Sequence, residues 1–170
     1  MIDVELKPGD VFATSNPQAL GWMINFVQKA CSADSSAEYS HAGIITSPEG
    51  ETFEALWKIG PGNLKAYEGK QIIIARWNKM DESAYKNGMI DILPQSGRWY
   101  PFGRLLLHLF RISKIHIKNR EVCSELTTHF LVKAGACMTS GQNWHGVTPD
   151  YLVDEWRISR HFNIIFEGTA

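Results

Sequence analysis

Along the first half of the chain the apolar and polar positions predict strands. After the turn signal Pro8-Gly9-Asp10, Val11-Phe12-Ala13 is a short strand candidate. Leu20, Met23, Ile24 and Val27 recur at helical spacing, which predicts a helix from Leu20 to Ala30. The polar stretch Ser32 to Glu38 reads as a loop. Tyr39 to Thr46 is rich in β-branched and aromatic residues, Ser47-Pro48-Glu49-Gly50 is a turn, and Thr52 to Trp57 reads as the returning strand. Together they make a β-hairpin. Ile72 to Trp77 is a continuous apolar run, so a strand there needs cover on both faces.

The period then changes from two to that of helices. Asp81 to Leu93 is predicted helical up to Pro94, and Phe102 to Phe110 helical after Pro101. A third helix runs from Ser124 to Lys133 and ends before Gly135. Thr148-Pro149-Asp150 is a helix start, with threonine as cap and proline at the first helical position. Arg160 to Phe166 reads as a last strand. Strands, then helices, then a strand is the order of an α+β fold with an antiparallel sheet. There is no internal repeat, low-complexity tract or linker, and 170 residues suit a single domain, 1–170.

Composition narrows the function. Apolar residues make up 44% and charged residues 21%, an ordinary globular balance. With 17 Lys+Arg against 18 Asp+Glu there is no basic surplus for nucleic acid. The apolar patch Leu105-Leu106-Leu107, Leu109-Phe110 is broken by His108 and too short to span a bilayer. Met1-Ile2-Asp3-Val4-Glu5 does not read as a signal peptide, so a cytoplasmic protein is expected. Cys31, Cys123 and Cys137 are odd in number and lack Cys-x-x-Cys spacing, and no His-Glu-x-x-His occurs. Neither a disulfide scaffold nor a metal site is expected, and Gly69-Lys70-Gln71 lacks the rest of a phosphate loop. No cofactor is expected.

One cysteine stands in a chemically interesting place. Cys123 follows Lys118-Asn119-Arg120 and opens an apolar helix. A thiol there meets the positive end of the helix dipole and unpaired amides, which favour thiolate and could hold an oxyanion. The plain alternative is a buried structural cysteine. His41 lies early in the first hairpin strand beside small Ala42-Gly43, and Glu54 lies on the returning strand. With the turn near Pro48-Glu49, the two come close to facing each other and share a face. A carboxylate on one ring nitrogen would leave the other for the thiol. Taken singly, each is an ordinary strand residue.

Ser40-His41-Ala42-Gly43-Ile44-Ile45, Phe53-Glu54-Ala55 and Val122-Cys123-Ser124-Glu125-Leu126 together resemble the circularly permuted NlpC/P60 proteins of the YiiX/YebB-like branch. Lys7-Pro8-Gly9-Asp10-Val11 resembles that family's opening strand, and Thr148-Pro149-Asp150-Tyr151-Leu152 its Thr-Pro element. The resemblance runs from about Gly9 to Leu152. It implies a papain-like fold of permuted topology, with an antiparallel sheet packed against helices including the nucleophile helix. It also implies a triad: Cys123 the nucleophile, His41 the general base and then acid, and Glu54 the group that orients the imidazole. A tyrosine lining the site would be Tyr100, with Tyr39 as second choice.

Three functions share this fold. The first is a cysteine amidase or peptidase acting through a thioester acyl-enzyme on a small peptide, such as a peptidoglycan fragment. The second is a lipid or thioester acyl hydrolase or acyltransferase, with which peripheral lipid contact would be compatible; the apolar and basic stretch Trp99 to Ile117 reads either as a core helix or as a wall of a pocket for an acyl chain. The third is a non-catalytic binding or virion component. Relatives of the family are often exported, so a cytoplasmic chain would reach a cell wall by lysis or with a phage. Cys123→Ser and His41→Ala are expected to abolish hydrolysis and spare the fold, and Glu54→Gln to cost less. His129 falls on a different helical face from Cys123; Cys31 and Cys137 read as core or helix-end thiols. Trp57, Trp77 and Trp156 read as packing residues, and Trp144 as a loop residue at the site rim.

Overall fold

A computed structural model of the chain describes residues 2–15, 38–99, 122–139, 141, 144, 145 and 147–170. Its strands are β1 (Val11–Thr14), β2 (His41–Ile45), β3 (Glu51–Ala55), β4 (Ile59–Asn63), β5 (Gln71–Trp77) and β6 (Phe162–Thr169). They form one sheet in the order β4-β3-β2-β1-β5-β6, with every pair antiparallel. Among the described residues three helices accompany it: α1 (Glu82–Ile92), α2 (Cys123–Ala134) and α3 (Pro149–Ile158). The expected α+β class and antiparallel sheet are therefore observed. The helices predicted over 20–30 and 102–110, the loop from 32 to 37, Cys31 and Tyr100 lie outside the described residues.

The alternation of side chains divides the sheet between two cores. Val11, Ala13, Ala42, Ile44, Phe53, Ala55, Ile73 and Ala75 point to the face that packs against the helices. Phe12, Ile45, Ile72 and Ile74 point the other way, where Leu6, Leu64 and Tyr67 close over them. The apolar stretch Ile72–Ala75 of β5 is thus buried on both sides, as its sequence predicts. Leu126, Phe130 and Leu131 of α2 are fully buried, and α2 lies against α1, β2 and β3. Among the described residues, no helix is long and apolar enough to cross a membrane.

Local signals set most ends. The Asp81 side chain accepts from the Ala84 amide at 2.7 Å and caps α1. Thr148 caps α3 ahead of Pro149. Gly135, at φ +101°, takes the left-handed turn that ends α2. Two expectations need correction. Strand β4 and the 3-10 turn Leu64–Tyr67 were not anticipated, because Gly60-Pro61-Gly62 reads as loop; Pro61 is tolerated since β4 is an edge strand. Trp57 is not in the core: the chain reverses at Leu56–Lys58, leaving the residue 50% exposed, whereas Trp77 and Trp156 are buried. Cys137, read as a core or helix-end thiol, is the latter: it lies exposed just past the end of α2, beyond the turn at Gly135.

Candidate active site

The site begins with the rigid placement of Cys123. Val122 is extended and has no side-chain acceptor, so Glu125 supplies the reciprocal half of a cap, accepting from the Val122 amide at 3.1 Å. The Ser124 hydroxyl donates to the Val147 carbonyl at 2.6 Å and the Thr127 hydroxyl to the Cys123 carbonyl at 3.0 Å. With the apolar face of α2 in the core, Cys123 is held as the first residue of the helix, 2% exposed.

His41 and Glu54 come from the neighbouring strands. The register places Glu54 opposite Gly43, so by extension His41 lies opposite Leu56. The two are diagonal neighbours on one face, and the Glu54 side chain must reach past position 43. Only glycine permits this: a Cβ on Gly43 would stand 3.1 Å from the Glu54 Cβ and 2.6 Å from the Phe12 ring. The result is a 2.5 Å contact between His41 Nε2 and Glu54 Oε2, both residues buried. The imidazole also hydrogen-bonds to the Cys123 thiol. The three residues proposed from sequence thus meet in the order Cys123, His41, Glu54.

Two further residues complete the carboxylate's surroundings. The Thr52 hydroxyl donates to Glu54 Oε1 at 2.6 Å, and the Tyr67 hydroxyl donates to Glu54 Oε2. Tyr67 also stacks on His41, ring centroids 5.7 Å apart. Thr52 was legible as the same-face neighbour two residues before Glu54. Tyr67 was not, because the unforeseen turn after β4 is what brings it in. Tyr39, offered from sequence as a site tyrosine, instead has its ring near Arg157 and its side chain bonded to Glu167. Trp144 stacks on His129 at 4.1 Å, and His129 lies 3.6 Å from Asp91, so neither joins the thiol. His145 Nδ1 lies 4.0 Å from Glu125 Oε1.

The electrostatics follow from this geometry. Burial disfavours a charged His41, but hydrogen bonds to Cys123 and Glu54 outweigh it and raise its pKa to about 10. Burial likewise opposes the Glu54 charge, yet the His41 contact prevails and lowers its pKa. Burial and then the adjacent carboxylate push the Tyr67 phenol far up, so it acts as a donor. The sign for stability is therefore set. His41's folded pKa exceeds its ordinary 6.5, so its contribution is full below that pH and is lost as pH rises toward about 10. Glu54's contribution is present above its ordinary 4.5 and is lost as pH falls. Melting curves of wild type and His41→Gln should differ most between those two values and converge at alkaline pH. Tyr67→Phe, which leaves a buried carboxylate short of one donor, should cost about 1–3 kcal/mol in urea titrations.

The cysteine helix and the six-stranded antiparallel sheet define a YiiX-like, papain-like α+β fold. Among solved structures, the chain resembles the metalloprotein yiiX of Escherichia coli O157:H7, with a TM-score of 0.66. The match covers 98% of this chain and 99% of that one, at 14% sequence identity. No family model matches the chain. No curated protein matches it either.

Proposed function

We propose that this protein is a cysteine hydrolase of the NlpC/P60 kind that cleaves amide bonds through an acyl-enzyme. The observation that carries the reading is His41, buried and bonded on one side to Cys123 and on the other to Glu54. In the first step the Cys123 proton passes to His41 and the sulfur attacks the carbonyl carbon, forming the S–C bond. The Cys123 amide, at the start of α2, faces the developing oxyanion. His41 then gives its proton to the leaving nitrogen as the C–N bond breaks. Water loses a proton to His41 and attacks the thioester; the S–C bond breaks and the thiol regains its proton. Glu54, held by Thr52 and Tyr67, keeps the ring aligned throughout.

The yiiX structure is described as that of a metalloprotein. Here, among the described residues, no group of three or more His, Cys, Asp or Glu is arranged to hold a metal. Cys123, His41 and Glu54 bond to one another in a row rather than converging on a shared point, so they do not fit a metal centre and no step is routed through one.

The test is to quench the protein in acid after mixing with short peptides, peptidoglycan fragments and acyl thioesters, and to weigh it. An acyl adduct confined to Cys123, absent in His41→Gln, is the expected result; turnover by Cys123→Ser would overturn the mechanism. A lipid or thioester acyl donor remains the second reading, favoured by exposed Trp57 and Trp99 at the His41 end of the sheet.

A further inference from the structure

Tyr67 reaches the carboxylate on which the chemistry above depends, and it does so at an oxygen already in use. Glu54 Oε2 faces His41 Nε2 at 2.5 Å and also accepts from the Tyr67 hydroxyl, whereas Oε1 is taken by the Thr52 hydroxyl. Satisfying a buried oxygen does not require the phenol, because the imidazole does so alone. The phenol is nonetheless held firmly. The Leu64 amide donates to the Gly50 carbonyl at 2.9 Å and the Lys70 amide to the Tyr67 carbonyl at 3.0 Å, which anchors the turn on both sides. The buried ring packs against Phe12 and His41, with centroids 5.6 and 5.7 Å away. Among the described residues, the titratable groups that act on this cluster are His41 from β2, Glu54 from β3, Cys123 from α2 and Tyr67 itself.

We propose that Tyr67 is a positioning residue that weakens the grip of Glu54 on the His41 imidazolium, leaving that ring able to protonate a leaving group. The proposal rests on the hydrolase reading and gives the second donor a purpose. A hydroxyl on Oε2 draws charge away from the imidazolium contact and brings the positive end of its dipole to the same oxygen. Without it the carboxylate would hold the protonated ring more tightly. Amide cleavage needs the opposite. As the C–N bond breaks, its electron pair leaves with the nitrogen, and the ring nitrogen on the Cys123 side must give up its proton to it. A thiolate leaves with less need of that proton, so the demand on His41 is greatest for amides.

Two readouts separate this role from packing. The first needs no turnover: the His41 pKa is followed by NMR in Cys123→Ser, so that no thiol titrates beside the ring. Adding Tyr67→Phe should raise it by roughly half a pH unit or more, since the imidazolium is then the sole partner of Oε2. Fluorotyrosine in place of Tyr67 has a more acidic phenol and is a stronger donor, so it should lower the value. Its shape is close to that of tyrosine, so it decides the matter even where Tyr67→Phe fails to fold. Thr52→Val, which removes a donor from the other oxygen, should have the smaller effect. Three results would overturn the proposal: a fall in Tyr67→Phe, as loosened packing alone predicts; no movement with fluorotyrosine; or an equal rise in Thr52→Val. The second readout is kinetic. With Cys123 intact, Tyr67→Phe should slow amide turnover about tenfold and leave thioester turnover within about twofold. Equal losses on the two substrates would also sink it. If wild type turns over neither substrate while the His41 pKa moves as stated, the hydrolase reading fails and the weakened grip of Glu54 stands.

Discussion

Cys123→Ser should lower the rate of acyl transfer by roughly 10³-fold or more, and Cys123→Ser/His41→Gln should be little worse than either change alone. A serine hydroxyl fits the space of the buried thiol, but it is a far weaker nucleophile beside the same base. The melting temperature should move little. His41→Ala is a different matter. From sequence alone it is expected to spare the fold, yet the structure leaves Glu54 only 3% exposed, with the imidazole as its principal partner. Removing the ring leaves a buried charge without its counterion, at a cost of about 3–5 kcal/mol. His41→Gln, which keeps a donor, is therefore the better test of catalysis. Rates measured alongside melting curves separate the two effects; full activity in Cys123→Ser would end the mechanism.

The second large effect is expected at a residue with no side chain. A Cβ on Gly62 would stand 2.1 Å from Glu54 Oε1 and 2.8 Å from Thr52 Oγ1. In Gly62→Ala the carboxylate must swing away, and with it the alignment of His41. A displacement of about 1 Å can cost on the order of 10² in rate. Overpacking should cost a further 1–3 kcal/mol or so of stability. The pKa of His41, followed by NMR, should fall back toward its ordinary 6.5 as the Glu54 contact loosens. Gly60→Ala is the control. Gly60 sits on the same strand opposite Glu54, but its added Cβ would meet nothing closer than Ser96 Oγ at 3.8 Å, so it should be nearly silent. Equal effects from both would show that β4 matters only as a strand.

Those two glycines mark where the sequence stops being readable. The hairpin, the apolar β5 and the helix caps were legible because turn residues, alternation and Thr-Pro starts act locally. Cys123, His41 and Glu54 were legible because a helix start and a hairpin register have fixed geometry. Strand β4 was hidden by Gly60-Pro61-Gly62, the residues that ordinarily signal a loop. Here the missing side chain of Gly62 leaves the space that receives the Glu54 carboxylate. Tyr67 was hidden with them, since nothing in its neighbours says that a turn will aim its hydroxyl at a carboxylate on another strand. Trp57 was misread because exposure depends on where a strand ends, and one residue decides it.

The arrangement of the site along the chain has a consequence for how the protein is made. His41, Thr52, Glu54, Gly62 and Tyr67 all lie between positions 41 and 67, while Cys123 arrives with a helix far downstream. During synthesis the acid–base half leaves the ribosome first, as a contiguous meander of β2, β3 and β4 with short-range pairings. The sulfur joins it only when α2 docks. Until then Cys123 has no imidazole beside it, so the pairing on which the proposed chemistry rests exists only in the completed fold.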